Sequence, residues 1–342
     1  MEPAIRYGRA GRDPRVLPDD EYVERMLDVR GALAASDLDA LAVFGHAAAG
    51  GAFVYLAGYV PTMGFSALLV TPGDEPVLIS ASGPRDIPFV QAQTWIADVR
   101  PSPSLLEDAV AGVVAAVAER LRPGARIGLV GAATNLDAGS HARLHGLLQD
   151  YSLADGTPVL ETLRRRKRPR ELAVLAQAAA LARGAAAAGA EAGGARSAIG
   201  MAQRHGRIGG AHDVRVLVRA GGTFVPASSR TVAELPTDVT VYCAVELSGY
   251  WGEAIAPASA AAELATLAAR ARPGVDTASF AGAAGEYGAG GGVGNERVEA
   301  PYIEAESGDA FRLGDVVALR VISDDTAAAG IFRIGQEGAV AL

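Results

Sequence analysis

Apolar side chains near the start of the chain follow helical and strand spacing in turn. Residues 21–35 carry them at helical intervals and predict a helix, whereas the short apolar run 39–44, bounded by turn residues, predicts a buried strand. Two further runs, 66–70 and 76–79, flank a Thr-Pro-Gly turn and predict a β-hairpin. The chain therefore begins as a mixture of helices and strands.

The same alternation continues toward the middle of the chain. The pattern predicts a long helix at 105–121, a buried strand at 126–130 and a helix at 140–148. Strands that alternate with helices indicate an α/β domain, which we place at residues 1–155.

The second half has a different order of elements. A long helical segment covers 158–192 and is broken at Pro169, and a helix at 263–271 is closed by Pro-Gly. Strand runs with helices grouped between them indicate an α+β domain, placed at residues 156–342. The predicted strands of this domain are 212–218, 238–246, 250–256, 311–322 and 331–342.

Composition adds limits on the kind of protein. Half of the 342 residues are hydrophobic, 20% are charged and the net charge is -8, which is typical of a soluble, mildly acidic protein of about two domains. The basic run 164–170 lies between predicted helices and is interpreted as a solvated face, so no nucleic-acid partner is expected. Cys243 is the single cysteine, which excludes a disulfide framework and a cysteine zinc site.

Targeting signals and membrane segments are not expected. Residues 1–20 alternate charges with prolines and contain no apolar core of a signal peptide. No stretch reaches the roughly 18 uninterrupted apolar residues of a membrane helix. The sequence therefore predicts a cytoplasmic protein with no membrane partner.

Several motifs, in this order, resemble the creatinase and aminopeptidase P family. They are YVERMLDVRGALAASDLDALAVF, VYLAGY, LRRRKRPRELAVLAQAAALA, VRVLVRAG, SGYWGE, GGGVGNERVEAPY, LGDVVALRV and GIFRIGQEG. The resemblance covers the chain from about residue 20 to its end. It implies an α/β N-terminal domain followed by an α+β pita-bread C-terminal domain.

Metal-dependent members of that family hold two divalent ions with two aspartates, a histidine and two glutamates. Their positions correspond here to Tyr242 or Cys243, Glu253, Gly291, Arg320 and Gly335. A guanidinium that is always charged would repel a dication by several kcal/mol. The resemblance therefore implies a member of the family without metal or other cofactor.

Creatinase is a metal-free member of the family that cleaves a C–N bond with a histidine base. That histidine corresponds to Ala227 or Ser228 here, so creatine is not the expected substrate. Inheritance of the fold does not carry inheritance of the mechanism.

The carried-over positions supply the catalytic candidates. Glu253 is the predicted acid/base group, with Glu246 and Tyr250 as further catalytic candidates. The alternative for Glu253 is a structural ion pair with Arg320 or Arg333.

The same positions supply candidates for substrate binding. Arg320 and Arg333 have the planar donor geometry that binds a carboxylate, or else each pairs with Glu246 or Glu253. For an aromatic candidate such as Trp251 the alternative is packing in the core, and for Glu299 the alternative is a solvent-exposed loop position. The remaining candidates for substrate binding are Trp251, Tyr242 and Glu299.

Other reactive side chains carry less weight. His205 and His212 precede a strand and can serve as bases, although a surface or capping histidine explains them as well. Cys243 is interpreted as a small buried hydrophobe.

Three functions follow from these residues. The first is a metal-independent, creatinase-like hydrolase or lyase acting on a C–N or related bond of a small carboxylate-bearing molecule. The second is a non-catalytic pita-bread protein used for binding or scaffolding, and the third, disfavoured by the ligand positions, is an Xaa-Pro-type metallopeptidase. The resemblance also implies a homodimer.

Overall fold

The computed structural model describes residues 13–46, 50–61, 64–102, 109–220, 223–226, 239–280 and 310–342. Within these ranges the chain forms two compact units, which divide between Arg165 and Arg166. The predicted boundary at 155/156 lies one helix earlier. The helix in question packs with the first unit because it contacts the strands and helices that precede it.

The first unit is built on a six-stranded mixed sheet. Its strand order is β4-β3-β2-β1-β5-β6. β1 is parallel to β5 and antiparallel to β2, and β5 is parallel to β6. Its elements are α1 (Asp19–Ala35), β1 (Ala40–His46), α2 (Gly51–Ala57), β2 (Phe65–Val70), β3 (Val77–Ser80), α3 (Ile87–Gln91), β4 (Asp98–Pro101), α4 (Ala109–Arg120), β5 (Arg126–Val130), α5 (Ala132–Asn135), α6 (Ala138–Leu147), β6 (Ser152–Asp155) and α7 (Thr157–Arg165).

Helix α4 forms much of the core of this unit. Its apolar positions Val113 and Val117 are fully buried against strand residues such as Leu69 and Ile79. α2 contacts β1 and α7 contacts β5. The predicted α/β character of this half is confirmed.

The second unit contains two sheets. A four-stranded antiparallel sheet has the order β10-β9-β7-β8, and a three-stranded sheet has the order β11-β12-β13. The predicted α+β character is confirmed. Its elements are α8 (Pro169–Ala190), α9 (Ala195–Ile208), β7 (Asp213–Ala220), β8 (Thr223–Pro226), β9 (Val241–Leu247), β10 (Tyr250–Ala256), α10 (Ala261–Arg270), β11 (Val316–Ile322), β12 (Ala327–Ile334) and β13 (Ala339–Ala341).

Helix α8 packs directly on strand β10. A Cβ at Gly252 would collide with the helix backbone at Ala178 and Ala179, so only glycine permits this approach. Alanines at 178, 182 and 185 on the facing side are fully buried. Because small residues line the contact on both sides, α8 fixes the position of β10 closely.

Helix α8 is also, in the described part of the chain, the one helix whose length and composition would allow it to cross a membrane. Its packing on β9 and β10 identifies it as the core helix of this unit.

Two predicted strands of the second unit need correction. The segment 311–322 is a strand only from Val316, because Arg312–Asp315 form a turn in which Asp315 accepts a hydrogen bond from the Arg312 N–H at 2.9 Å. The segment 331–342 belongs to two strands, β12 and β13, because a turn at Gly335 separates them.

Candidate functional site

One face of the sheet formed by β7 to β10 carries four of the eight predicted site residues. Side chains alternate between the faces of a strand, so Tyr242, Ala244 and Glu246 of β9 share one face. The antiparallel register pairs Glu253 with Ala244 and Trp251 with Glu246, which places both on that face. We call it the polar face.

A buried ion pair lies at the centre of the polar face. The Arg320 guanidinium of β11 donates from Nε to Glu253 Oε1 at 2.7 Å and from Nη2 to Glu253 Oε2 at 2.5 Å. Tyr242 donates its hydroxyl to Glu253 Oε2 at 2.6 Å. Glu253 is 3% exposed and Arg320 is 8% exposed. Two strands of one sheet and one of the other therefore meet in this cluster.

The hydrogen bonds of the cluster define what Glu253 can do. Both carboxylate oxygens accept hydrogen bonds, and the parallel N–H donors of Arg320 match them in the two-bond geometry of strong ion pairs. The ionised carboxylate is thereby stabilised in a buried position, where a lone charge would be costly. Among the described residues of the cluster, the phenol of Tyr242 is the one proton donor that is not a cation.

Glu246 lies on the same face but stabilises a turn. Its Oε1 accepts the Gly249 backbone N–H at 2.9 Å, in the turn between β9 and β10. Ser248 and Gly249 in that turn both have positive φ angles, of 50° and 91°. A carboxylate that accepts the turn N–H compensates for this strained backbone, so Glu246 has a structural role at this position.

Tyr250 does not join the cluster, which corrects its assignment as a catalytic candidate. Odd and even positions of β10 face opposite sides, so Tyr250 lies on the face away from Glu253. There its hydroxyl donates to Glu171 Oε1 of α8 at 2.8 Å, and both residues are fully buried. Trp251, the next residue, does lie on the polar face.

Cys243 also lies on the far side of the sheet. It is fully buried in an aliphatic cluster with Val216 and Val245. Burial raises the pKa of its thiol to about 12, so the thiolate is not formed at neutral pH. The interpretation of Cys243 as a buried hydrophobe agrees with this environment.

The other predicted residues lie apart from the cluster. Arg333 is exposed on β12 opposite Val316, and it pairs with no carboxylate in the described ranges. His212 accepts the Ser248 N–H at Nδ1 at 3.3 Å, and His205 lies against Gly184 of α8. Three carried-over positions fall outside the described residues, namely Glu299, Gly291 and the Ala227/Ser228 position.

Arg215 is a site candidate that sequence reasoning missed. It pairs across the strands with Ala244, which in turn pairs with Glu253, so the three lie in one row of the polar face. Its guanidinium stacks on Trp251 at 4.7 Å from the ring centroid, and Asp213 is its acidic neighbour at 3.4 Å. The side chain is 38% exposed, which leaves it accessible to a ligand.

The residues at the carried-over metal positions do not suit a pair of hard cations. In the described part of the chain, no group of three or more histidine, cysteine, aspartate or glutamate side chains can hold a metal ion. Glu253 directs its oxygens at a guanidinium instead, and a fixed cation at this point opposes a dication. No step that uses a metal is derived from this site.

These two units define the class of protein. A mixed α/β unit followed by a unit of two antiparallel sheets with a packed helix is the pita-bread architecture, and comparison with solved structures confirms it. The X-Pro aminopeptidase of Thermotoga maritima has 16% sequence identity and a TM-score of 0.68, with 93% of this chain and 96% of that chain covered.

Two other structures have the same fold. Dipeptidase PepE from Mycobacterium ulcerans has 18% identity and a TM-score of 0.64, covering 94% of this chain and 95% of that one. The N-terminal domain of the FACT complex subunit SPT16 from chickpea, Cicer arietinum, has 12% identity and a TM-score of 0.58, covering 94% and 96%. At these identities the likeness establishes the fold alone.

The first unit matches the model of a known domain family. Residues 25–166 match the Creatinase/Prolidase N-terminal domain. The chain therefore carries that domain and has, as a whole, the fold of the creatinase and aminopeptidase P proteins. No curated protein sequence matches it.

Proposed function

We propose that the protein is a metal-independent, creatinase-like hydrolase or lyase that acts on a C–N bond of a small carboxylate-bearing, amino-acid-like molecule. The observation that carries this proposal is the contact between Tyr242 and Glu253, a phenol and a carboxylate 2.6 Å apart at a carried-over metal position. In hydrolysis, a water molecule adds its hydroxyl group to the carbon as the C–N bond breaks, Tyr242 donates its proton to the leaving nitrogen, and the proton that the water loses returns to the phenolate. Glu253 holds the phenol in place.

Substrate binding in this proposal rests on Arg215. Its stacked guanidinium is a partly exposed cation of the polar face, whereas Arg320 is already bound to Glu253. A carboxylate held by Arg215 points the rest of the molecule across Ala244, whose small side chain separates Arg215 from Glu253. Arg215 and Glu253 lie on β7 and β10, with β9 between them. Adjacent strands are about 4.8 Å apart, so the separation of the two charged groups suits a molecule of amino-acid size.

A second candidate is favoured by a specific observation. Glu253 accepts three hydrogen bonds and is almost fully buried, as expected for a structural ion pair. On this interpretation the protein is a non-catalytic pita-bread protein that binds or assembles with a partner. The fold it shares with a subunit of the FACT complex is consistent with such a use. A cytoplasmic location and a homodimer belong to both proposals.

Removal of one hydroxyl group distinguishes the two candidates. We expect Tyr242→Phe to reduce turnover about a hundredfold or more, because proton transfer from a placed group contributes about 10²–10⁴ to rates. Unfolding free energy should fall by about 1.5–3 kcal/mol, the net value of one hydrogen bond to a charged group. The measurement is amine release from a panel of N-acyl amino acids, Xaa-Pro dipeptides and N-amidino amino acids.

Tyr250→Phe is the matched control for this experiment. Like Tyr242→Phe, it removes one phenol hydroxyl group, but Tyr250 lies on the face of the sheet away from Glu253. There its hydroxyl group donates to Glu171. It should lose similar stability and keep full turnover. Equal turnover by Tyr242→Phe and the wild type would eliminate Tyr242 as proton donor, and no amine release from the whole panel would favour the non-catalytic candidate.

Divalent metals should leave the stability of the protein unchanged. A site for Mn²⁺, Co²⁺ or Zn²⁺ would stabilise the native state by about 2.7 kcal/mol at a hundred times its Kd. Thermal unfolding with each metal, compared with EDTA, measures this, and elemental analysis of the purified protein provides the count. A clear rise in Tm with two bound equivalents would contradict metal independence.

A further inference from the structure

A cleft in the first unit is independent of the polar face. It has a volume of about 310 Å³, within the range of small-molecule sites. Three stretches of chain line it: the end of β1 with the start of α2, the end of β5 with α5, and the connection from β6 into α7. We call it the carboxyl-end cleft, because β1, β5 and β6 are parallel and all three end there.

The topology of the sheet explains why a cleft forms at this point. From β1 the chain continues to β2 on one side, and from β5 it continues to β6 on the other side. The connections after β1 and β5 therefore diverge and leave a crevice between them. In open α/β sheets, ligands bind outside the carboxyl ends of strands at such a switch point.

One buried acceptor in the cleft is held in a fixed position. Asn135 donates from Nδ2 to the Phe44 carbonyl at 2.8 Å, and this bond sets the orientation of the amide. Gly131, at φ 70°, makes room for it, since a Cβ there would lie 2.6 Å from Asn135 Nδ2 and 2.8 Å from Phe44 O. Asn135 Oδ1 is buried and accepts no hydrogen bond from any described residue. A bound N–H or O–H group would satisfy it.

The charge of the cleft selects the kind of donor. Asp155 and Glu161 are both at its lining, and the described residues of the lining include no lysine, arginine or histidine. Hydrogen bonds from the Thr157 hydroxyl and backbone N–H hold the pKa of Asp155 below its usual value, so it is ionised at neutral pH. Two carboxylates with no cation among the described residues around them repel a phosphate or a substrate carboxylate and attract an organic cation.

Apolar surface in the cleft suits the remainder of such a molecule. Phe44, Ala52, Val130 and Ala133 contribute to the lining between the polar groups. We propose that the carboxyl-end cleft binds a small organic cation, an amine or guanidinium with an apolar part, whose N–H groups bond Asn135 and the two carboxylates. This ligand is opposite in charge to the molecule proposed for the polar face.

Titration calorimetry of the full chain with agmatine, and separately with putrescine, tests the proposal. Both probes should bind, with affinity that falls as salt is added, and inorganic phosphate should neither bind nor compete. Glu161→Gln should weaken agmatine binding about fivefold, the value of one charge contact in water. Ala133→Phe, at an exposed position of α5, should abolish binding because the new ring occupies the cleft.

Controls separate a local effect from a change in net charge or folding. Glu263→Gln, an exposed glutamate of α10 in the other unit, removes the same charge and should leave agmatine affinity unchanged. If Ala133→Phe does not fold, Glu161→Lys replaces it and should also abolish binding. Absence of agmatine and putrescine binding, equal affinity in Glu161→Gln and the wild type, or preferential binding of phosphate would each overturn the proposal.

Discussion

Arg320→Met is expected to destabilise the second unit by about 3–5 kcal/mol, because it leaves the carboxylate of Glu253 buried without its cation. Methionine is shorter than arginine but has nearly the same side-chain volume, so loss of packing volume contributes little. The double variant Arg320→Met/Glu253→Leu removes both charges and should recover most of the loss, since apolar replacements of buried ion pairs are often neutral. The remaining deficit is the hydrogen bond of Tyr242.

Urea unfolding followed by Trp251 fluorescence measures this effect in the unit that contains the pair. The chain has two tryptophans, so a Trp95→Phe background isolates the signal of Trp251. Arg333→Met is the matched control, because Arg333 is an exposed arginine of β12 and its loss should cost within about 0.5 kcal/mol. Equal losses in the two single variants would show that the ion pair does not stabilise the unit.

Gly252→Ala is expected to cost at least about 3 kcal/mol, the upper part of the range for overpacking. The added methyl group meets the backbone of α8 at Ala178 and Ala179, and a helix backbone cannot rotate away as a side chain can. The helix and the strand must separate, which opens the contact along which the buried alanines of α8 lie, namely Ala178, Ala179, Ala182, Ala185 and Ala186.

Gly200→Ala is expected to change stability in the direction opposite to Gly252→Ala, although the substitution is the same. Gly200 lies inside α9, and an added Cβ there meets nothing within 4 Å. Alanine is the better helix former, so stability should rise by about 0.5–1 kcal/mol. The free energy of unfolding of both variants is measured by the same urea titration. If Gly252→Ala lowers it by less than about 1 kcal/mol, the close contact between Gly252 and the backbone of α8 is refuted.

The sequence predicted elements with strong periodicity and missed those with mixed composition. β5 and β10 have the predicted bounds, because each is an apolar run closed by turn residues. α9 was not predicted, since glycines and exposed polar residues interrupt its pattern. The short edge strands β4 and β6 carry too few alternating positions to be recognised.

The site was predicted in part for a related reason. The contact of Glu253 with Arg320 was among the alternatives because both residues occupy carried-over positions of the family. Tyr250 was misplaced, because motif position identifies a strand without specifying which face a given residue occupies. Arg215 was missed because an arginine in an alternating strand resembles any solvent-facing residue, and its stacking on Trp251 depends on the register of three strands.

The contact of Gly252 with α8 has a consequence for the evolution of this protein. A strand shifted by one residue exposes its other face, and a shift by two would place Tyr250 or Ala254 against the helix backbone in place of Gly252. Gly252 therefore fixes the register of β10 against α8. Positions 251, 253 and 255 lie on the other face, so substitutions there change the stability and chemistry of the polar face without shifting β10 along α8.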